Sequence, residues 1–163
     1  KSPYRQYKNP NWSNYKITGT YVNSIVALQD AVAKGADEAL ILDNDNFISE
    51  GSGENIFFIN EDLIKTPTTR NCLNGITRQS VIRIANDLGY KVEEGNWSYE
   101  DIMKCDEAFF TGTAVEVTPI TKIDDKVISG GTVGTITKEI QTSYENSVFG
   151  IDNNSRNWLT YIK

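Results

Sequence analysis

The sequence predicts an α+β fold built from helices and short strands. Three segments place apolar residues at helical spacing, at 21–34, 80–88 and 135–149. The first two are each followed by a glycine, the residue most common just after a helix C-terminus. Short apolar or alternating runs between them have the length and pattern of strands. With 163 residues, 39% of them hydrophobic, the chain is long enough to bury a substantial core.

The composition excludes several classes of function. A net charge of −6 and the lack of any basic stripe argue against nucleic acid or an anionic membrane as partner. No apolar run is long enough to span a bilayer and no signal peptide is visible, so we expect a cytoplasmic protein. The sequence has no histidine, which excludes histidine-based metal sites and Ser-His or Cys-His catalysis. We expect no metal, and any general acid or base would be a Lys, Tyr, Asp or Glu side chain.

The N-terminal part of the chain leads into the first helix. Residues 1–15 contain two prolines and no sustained period, which predicts an interdomain linker or entering arm before a domain at 16–163. A helix is predicted from about Tyr21 to a stop at Gly35. The segment 16–20 is therefore the turn before this helix, and Lys16 stands outside it.

A glycine-rich turn follows at 49–55, between apolar runs at 38–42 and 56–59 that predict two strands. Its two glycines let the backbone approach a ligand closely. Its carboxylates, Glu50 and Glu54, lie between strands that need none for packing, which suggests that the turn holds a cationic group. The alternative is an acidic hairpin tip. A dinucleotide-binding fingerprint fits poorly, because Ile56 occupies the third glycine position.

A second corner precedes the next helix. After a short strand at 62–66, the segment Gly75-Ile76-Thr77 enters the helix, with Thr77 as the predicted N-cap and Gly89 as the stop. Free backbone amides and a hydroxyl at a helix N-terminus can receive a phosphate. The alternative is an ordinary Thr N-cap that binds nothing.

The remaining elements are short until the final helix. Lys91-Val92-Glu93 predicts a strand, and Ser98 begins a short helix with a capping-type pattern. Strands at 107–110 and 115–120 enclose a small-residue corner at 111–114 that carries two threonine hydroxyls. A hairpin at 122–128 and a glycine loop then lead to the last helix.

These features form a chemically coherent set. A lysine stands before a helix, a glutamate lies at a glycine turn, and two Gly/Thr corners could take a phosphate. Pyridoxal phosphate needs an amine for its aldehyde, a carboxylate for its ring nitrogen, and amides and hydroxyls for its phosphate. Chemistry alone does not select Lys16 among the eleven lysines.

The chain resembles the C-terminal, larger domain of class IV aminotransferases, the fold-type-IV pyridoxal phosphate enzymes, from about Pro3 to about Leu159. Four motifs in family order carry the resemblance: KITGTY at 16–21, ISEGSGENIF at 48–57, LNGITR at 73–78 and TGTAVEVTP at 111–119. The fourth favours branched-chain amino acid aminotransferases over D-amino acid aminotransferases and aminodeoxychorismate lyases, which share the other three. The resemblance implies the D-amino acid aminotransferase-like fold, a mixed sheet or pseudo-barrel flanked by helices.

The resemblance also implies roles for individual residues. Lys16 would carry the cofactor as a Schiff base and move the proton, Tyr21 would bond the phenolic oxygen, and Glu50 would pair with the ring nitrogen. The other positions implied to touch cofactor or substrate are Leu73 against the ring, Ile76, Thr77 and Thr113 at the phosphate, and Thr113 and Ala114 near the substrate carboxylate.

The implied activity is transamination of leucine, isoleucine and valine with 2-oxoglutarate, in a homodimer. Related activities of the same fold are the first alternative, and a non-catalytic binding or assembly domain is the second. The presence of both Lys16 and Glu50 argues against a domain without chemistry. The family's smaller N-terminal domain, with a phosphate-binding arginine, has no counterpart in this sequence. We therefore expect this chain alone to be inactive or weakly active.

Overall fold

A computed structural model describes residues 1–6, 15–70, 72–153 and 155–162. The strands of this part of the chain are β1 Arg5–Gln6, β2 Ile41–Asp43, β3 Ile48–Glu50, β4 Asn55–Asn60, β5 Leu63–Pro67, β6 Lys91–Gly95, β7 Glu107–Gly112, β8 Glu116–Pro119, β9 Lys122–Ile123 and β10 Lys126–Val127. The helices are α1 Tyr21–Ala33, α2 Ile76–Asp87, α3 Tyr99–Ile102 and α4 Thr135–Val148, with 3-10 turns at Thr18–Thr20 and Ser129–Gly131.

The central sheet has the strand order β6-β5-β4-β7-β8. The β5–β6 pair is parallel, because α2 carries the chain back across the sheet between them, and the other pairs are antiparallel. A second sheet, β1-β2-β3, is also mixed, and β9 and β10 form a separate hairpin. The expected α+β architecture with mixed sheets is confirmed. The described strands do not close into a barrel.

Strand β4 separates two hydrophobic clusters. Successive side chains of a strand point to opposite faces, so Ile56 and Phe58 pack toward the second sheet and α3, while Phe57 and Ile59 pack toward α2 and α4. Phe57 also stacks on Phe109 of β7, with ring centroids 5.1 Å apart. Burial on both faces explains why this strand is a continuous apolar run in the sequence rather than an alternating one.

Helix α1 packs on the second sheet through small residues. Ser24, Ala27 and Ala31 are its buried positions, and the two alanines lie against Ala39 and Ile41. Its larger apolar side chains, Val22, Ile25, Val26 and Val32, face outward and are exposed. The first turn of the helix contacts β1, because Asn23 donates to the Arg5 carbonyl, and the helix presents an apolar stripe on its outer side. None of the helices in the described ranges is long and apolar enough to cross a membrane.

Most element boundaries agree with the sequence predictions, with two corrections. The predicted helix stops are confirmed, since Gly35 and Gly89 have φ of +81° and +91°. The run at 38–42 does not enter the glycine turn directly: Asp43 accepts bonds from the Asp45 and Phe47 amides and reverses the chain into β3.

The second correction concerns the start of α2. Gly75, not Thr77, is the N-cap residue of this helix. A Cβ at position 75 would overlap the Oδ1 atom of Asn55, so no larger residue fits here without a shift. Thr77 is instead a buried residue within the first turn.

Candidate active site

A cleft lies between the start of α1 and the glycine turn that joins β3 to β4. The cleft is open to solvent and encloses about 40 Å³, so the described part of the chain encloses less than the roughly 300–1,000 Å³ typical of complete small-molecule sites. Four of the predicted site residues line it: Lys16, Tyr21, Glu50 and Leu73. The structure thus brings together residues that are up to 57 positions apart in the sequence, counting from 16 to 73.

Lys16 reaches the cleft from the turn before α1. Its side chain is exposed, and its Nζ lies 5.9 Å from the centroid of the Tyr21 ring. The turn is fixed by Thr20, whose amide and hydroxyl both donate to the Ile17 carbonyl, at 3.1 Å and 2.8 Å. A primary amine and a phenol therefore stand side by side at the mouth of the cleft.

Glu50 lies deeper, at the end of β3, and is only 9% exposed. Its Oε1 accepts a bond from the Gln6 side-chain amide at 3.1 Å, and its Oε2 accepts the Leu73 backbone N–H at 3.0 Å. Gln6 is itself held by Asn23 of α1, which donates to the Arg5 carbonyl at 3.1 Å and to Gln6 Oε1 at 3.4 Å. These contacts fix the orientation of the Glu50 carboxylate.

The glycine turn is shaped around the side chain of Glu54. A Cβ at Gly51 would lie 2.7 Å from Glu54 Oε2 and 3.0 Å from Phe110 Cε1, so this position has room only for glycine. The Gly53 backbone N–H donates to Glu54 Oε2 at 3.0 Å. The two glycines thus have different roles, since Gly51 makes room for the carboxyl and Gly53 binds it.

Glu54 also shares a hydrogen bond with Glu38. Glu38 is held in place by the Ser52 amide at 3.1 Å and the Ser52 hydroxyl at 2.9 Å. Burial, followed by the negative charges of Glu38 and Glu50, raises the pKa of Glu54 from 4.5 to about 7, although the Gly53 amide opposes the shift. Glu54 therefore holds a proton up to about pH 7, whereas the side chain of Glu50 is oriented by an amide on each oxygen.

The two predicted phosphate corners lie outside the cleft lining. Ile76 and Thr77 begin α2, three and four residues beyond Leu73, with Ile76 81% exposed and Thr77 buried. The first N–H groups of a helix have no partner within the helix, so this end of α2 offers amides near the Leu73 side of the cleft.

Thr113 and Ala114 are exposed in the turn between β7 and β8. The residue before them packs on the glycine turn: a Cβ at Gly112 would lie 3.7 Å from the Gly53 carbonyl oxygen and 3.7 Å from Glu54 Cγ. Neither Thr113 nor Ala114 lines the cleft itself. Their assignments to phosphate and substrate stay predictions.

The sequence model of one family, amino-transferase class IV, matches residues 1–123. The chain belongs to the class IV aminotransferases. The branched-chain-amino-acid aminotransferase of Pseudomonas aeruginosa is 42% identical to it over 159 residues, which is 98% of this chain and 52% of that protein. This class IV aminotransferase chain thus spans about half the length of the curated relatives it matches.

Solved structures of class IV aminotransferases are also similar. A T.th. branched-chain amino acid aminotransferase complexed with N-(5'-phosphopyridoxyl)-L-glutamate has a TM-score of 0.93 and 42% identity, covering 99% of this chain and 55% of that one. The enzyme from Thermobaculum terrenum, in its pyridoxal phosphate form, has a TM-score of 0.92 and 35% identity, covering 98% and 53%. The fold implied by the sequence resemblance is confirmed.

Three residues of this class IV aminotransferase site were not identified from the sequence. Gln6 lies in the segment predicted as an arm, and no local pattern relates it to Glu50. Glu38 belongs to an apolar run, and its contact with Ser52 is a tertiary one. Asn55 does have a local signal, because it is the first residue of β4 directly after the glycine turn.

Proposed function

We propose that this chain is the cofactor-binding part of a pyridoxal phosphate-dependent aminotransferase that transfers amino groups between branched-chain L-amino acids and 2-oxoglutarate. One observation carries the proposal: Lys16, Tyr21 and Glu50 line a single cleft in a chain of the class IV family. The substrate class is supported by relatives named as branched-chain aminotransferases. The phosphopyridoxyl-glutamate bound by one of them supports glutamate and 2-oxoglutarate as the second substrate pair.

The donor set of the cleft fits pyridoxal phosphate. When bound, this cofactor supplies an aldehyde that condenses with amines and a ring that accepts electrons when its nitrogen is protonated. The exposed Lys16 amine can reach such an aldehyde at the cleft mouth. Tyr21, which lines the same cleft at the start of α1, would bond the phenolic oxygen of the cofactor.

We assign the ring nitrogen to Glu50 rather than to Glu54. Glu50 is buried and held by Gln6 and Leu73, so its carboxylate is already oriented before any ligand binds. Glu54 holds a proton up to about pH 7 and bonds to Glu38, so it is less suited to stabilise a cationic ring. Glu50 would keep the proton on the ring nitrogen, and Lys16 would move the proton at the reacting carbon.

The phosphate is assigned to the amides and hydroxyls of Ile76, Thr77 and Thr113. Support comes from the position of α2, whose N-terminus begins just beyond Leu73 of the cleft. Leu73 would lie against the ring, and the turn at Thr113 and Ala114 would be near the substrate carboxylate. The packing of Gly112 on the glycine turn supports placing Thr113 and Ala114 near the substrate carboxylate.

The organisation of the protein is part of the same proposal. We propose residues 16–163 as one cofactor-binding domain, entered by an arm at 1–15. The described end of that arm, Arg5–Gln6, pairs with β2, while residues 7–14 lie outside the described part of the chain. The outward apolar stripe of α1 supports a homodimer. Two buried cysteine thiols support a reducing, cytoplasmic location.

Reduction with borohydride tests the proposal directly. The protein is loaded with pyridoxal phosphate, reduced and digested, and the pyridoxyl group is mapped by mass spectrometry. We expect the label on Lys16 and its loss in Lys16→Ala, while Lys34→Ala, which removes an exposed lysine of an ion pair with Asp30, keeps the label on Lys16. Label on another lysine would refute the assignment. Assays of the enzyme to which this chain is proposed to belong, with leucine and with D-alanine, each with 2-oxoglutarate, separate the branched-chain activity from that of a D-amino acid aminotransferase.

A further inference from the structure

The loop at residues 72–75 joins the two parts of the proposed cofactor site. At one end, the Leu73 backbone N–H donates to Glu50, the carboxylate assigned to the ring nitrogen. At the other end, Gly75 is the N-cap of α2, whose first amides are assigned to the phosphate. The conformation of this loop therefore sets the distance between the two assigned positions.

Asn55 contacts the loop at two points. Its Nδ2 donates to the Leu73 carbonyl at 2.7 Å, so both peptide groups that flank Leu73 are held by side chains next to the glycine turn. The Leu73 carbonyl also accepts the Gly75 N–H at 2.9 Å. The other polar atom of the Asn55 side chain, Oδ1, lies so close to Gly75 that a Cβ added at position 75 would overlap this oxygen. Asn55 is buried and lines the cleft.

The far side of the loop is fixed by Arg78. This arginine is 2% exposed, and its guanidinium donates to Asn74 Oδ1 at 3.3 Å and to the Pro67 carbonyl at 2.9 Å, and pairs with Glu94. The loop is thus held between Asn55 on the cleft side and Arg78 on the interior side. Of these two side chains, Asn55 is the one that also lines the cleft.

We propose that Asn55 is a positioning residue that sets the span between Glu50 and the amides at the start of α2. A ligand with a basic ring nitrogen at one end and a phosphate at the other can then engage both. This inference rests on the proposed function. It adds a residue whose role is to hold the loop rather than to touch the reacting atoms.

The test compares two asparagines of one strand. Asn55 and Asn60 are the first and last residues of β4, and each donates its Nδ2 to a loop carbonyl, of Leu73 and of Lys104 respectively. Asn55→Ala and Asn60→Ala therefore remove the same kind of bond at opposite ends of the strand. Binding of pyridoxal phosphate and of pyridoxal, which lacks the phosphate, is measured by absorbance on the cofactor-free protein.

We expect Asn55→Ala to weaken pyridoxal phosphate binding by about two- to tenfold, the effect of one lost hydrogen bond. Pyridoxal binding should change less, because pyridoxal has no phosphate and so does not have to contact Glu50 and the start of α2 at the same time. Asn60→Ala should leave both affinities unchanged. An equal loss for both ligands in Asn55→Ala, or no loss, would overturn the inference.

Gly75→Ala perturbs the same contact from the other side. Its new methyl would lie 2.4 Å from Asn55 Oδ1, so we expect the Asn55 side chain to shift and to lose its bond to the Leu73 carbonyl. Effects of residues in direct contact are not additive, so the double variant Asn55→Ala/Gly75→Ala should bind pyridoxal phosphate no more weakly than Gly75→Ala alone. If the losses of affinity in Asn55→Ala and Gly75→Ala add up in the double variant, the two substitutions do not act through the same contact.

Amide exchange in the cofactor-free protein gives an independent measurement. The Leu73 and Gly75 amides should exchange faster in Asn55→Ala than in the unmodified protein or in Asn60→Ala. Unchanged exchange would refute this inference alone. If the unmodified protein takes up no pyridoxal phosphate, the proposed function is refuted. The role of Asn55 in setting the distance between Glu50 and the start of α2 is then refuted as well.

Discussion

Replacing Glu54 with glutamine should change how the stability of the protein depends on pH. Burial next to Glu38 and Glu50 raises the pKa of Glu54 from 4.5 to about 7 in the folded protein. Glutamine resembles the protonated carboxyl, can still accept the Gly53 amide and can donate to Glu38. The variant should therefore fold in the same way but lack the group at position 54 that gains or loses a proton.

The sign and size of the effect follow from proton linkage. Below pH 4.5 the Glu54 carboxyl is protonated in both the folded and the unfolded protein, so its contribution is constant. Between pH 4.5 and about 7 the unfolded chain releases the proton while the folded protein keeps it, so stability falls as pH rises. Above pH 7 the full penalty is present; the difference between the two pKa values corresponds to about 3 kcal/mol, and because Glu54 is partly exposed, solvent screening lowers the expected effect to about 1–2 kcal/mol.

Urea denaturation of both proteins at several pH values measures this. We expect Glu54→Gln and the unmodified protein to have similar free energies of unfolding at pH 4.5, and the variant to be more stable by about 1–2 kcal/mol at pH 8. Glu93→Gln, on the exposed surface of β6, is the matched control and should show no such trend. A difference between Glu54→Gln and the unmodified protein that is the same at every pH would refute the reasoning.

Three further outcomes are expected. In the enzyme of which this chain is the proposed cofactor-binding part, Glu50→Gln should lower turnover by about 10- to 150-fold and change substrate affinity much less, since a charge-assisted bond contributes about 1.5–3 kcal/mol; near-normal turnover in steady-state assays would contradict its role. Gly51→Ala should destabilise the fold by about 1–3 kcal/mol in urea denaturation, because its methyl would clash with neighbouring side chains, whereas Gly53→Ala, with no atom within 4 Å, should be close to neutral. Cys72 and Cys105 should react with a thiol reagent only as fast as the protein unfolds, because both are buried and burial raises the pKa of Cys105 to about 11; rapid labelling of the native protein would contradict this.

Local patterns in the sequence account for most of the secondary structure. Helix stops at Gly35 and Gly89 and the capping box at Ser98 are determined by residues within one or two turns, so they can be predicted without knowing the fold. The short strand β3 was missed because the reversal before it depends on a side-chain turn at Asp43 rather than on a glycine or proline.

The site was predictable only in part for a physical reason. Lys16 and Glu50 belong to motifs that family resemblance can recognise. The bond from Gln6 to Glu50 spans 44 residues and the contact of Glu38 with Ser52 spans 14, and periodicity contains no information about such pairings.

The attachment of β1 has a consequence for the motions of the site. This strand is two residues long, and Gln6, at its end, holds one oxygen of Glu50. Proteins open locally at their weakly held segments at a much lower free energy than global unfolding. Neither hydrophobic cluster contains a residue of β1, so detachment of this strand would break the Gln6 bond to Glu50 Oε1 without disturbing the packing of either cluster. Fluctuations of β1 would therefore loosen the hold on the Glu50 carboxylate at a lower free energy than unfolding of the domain requires.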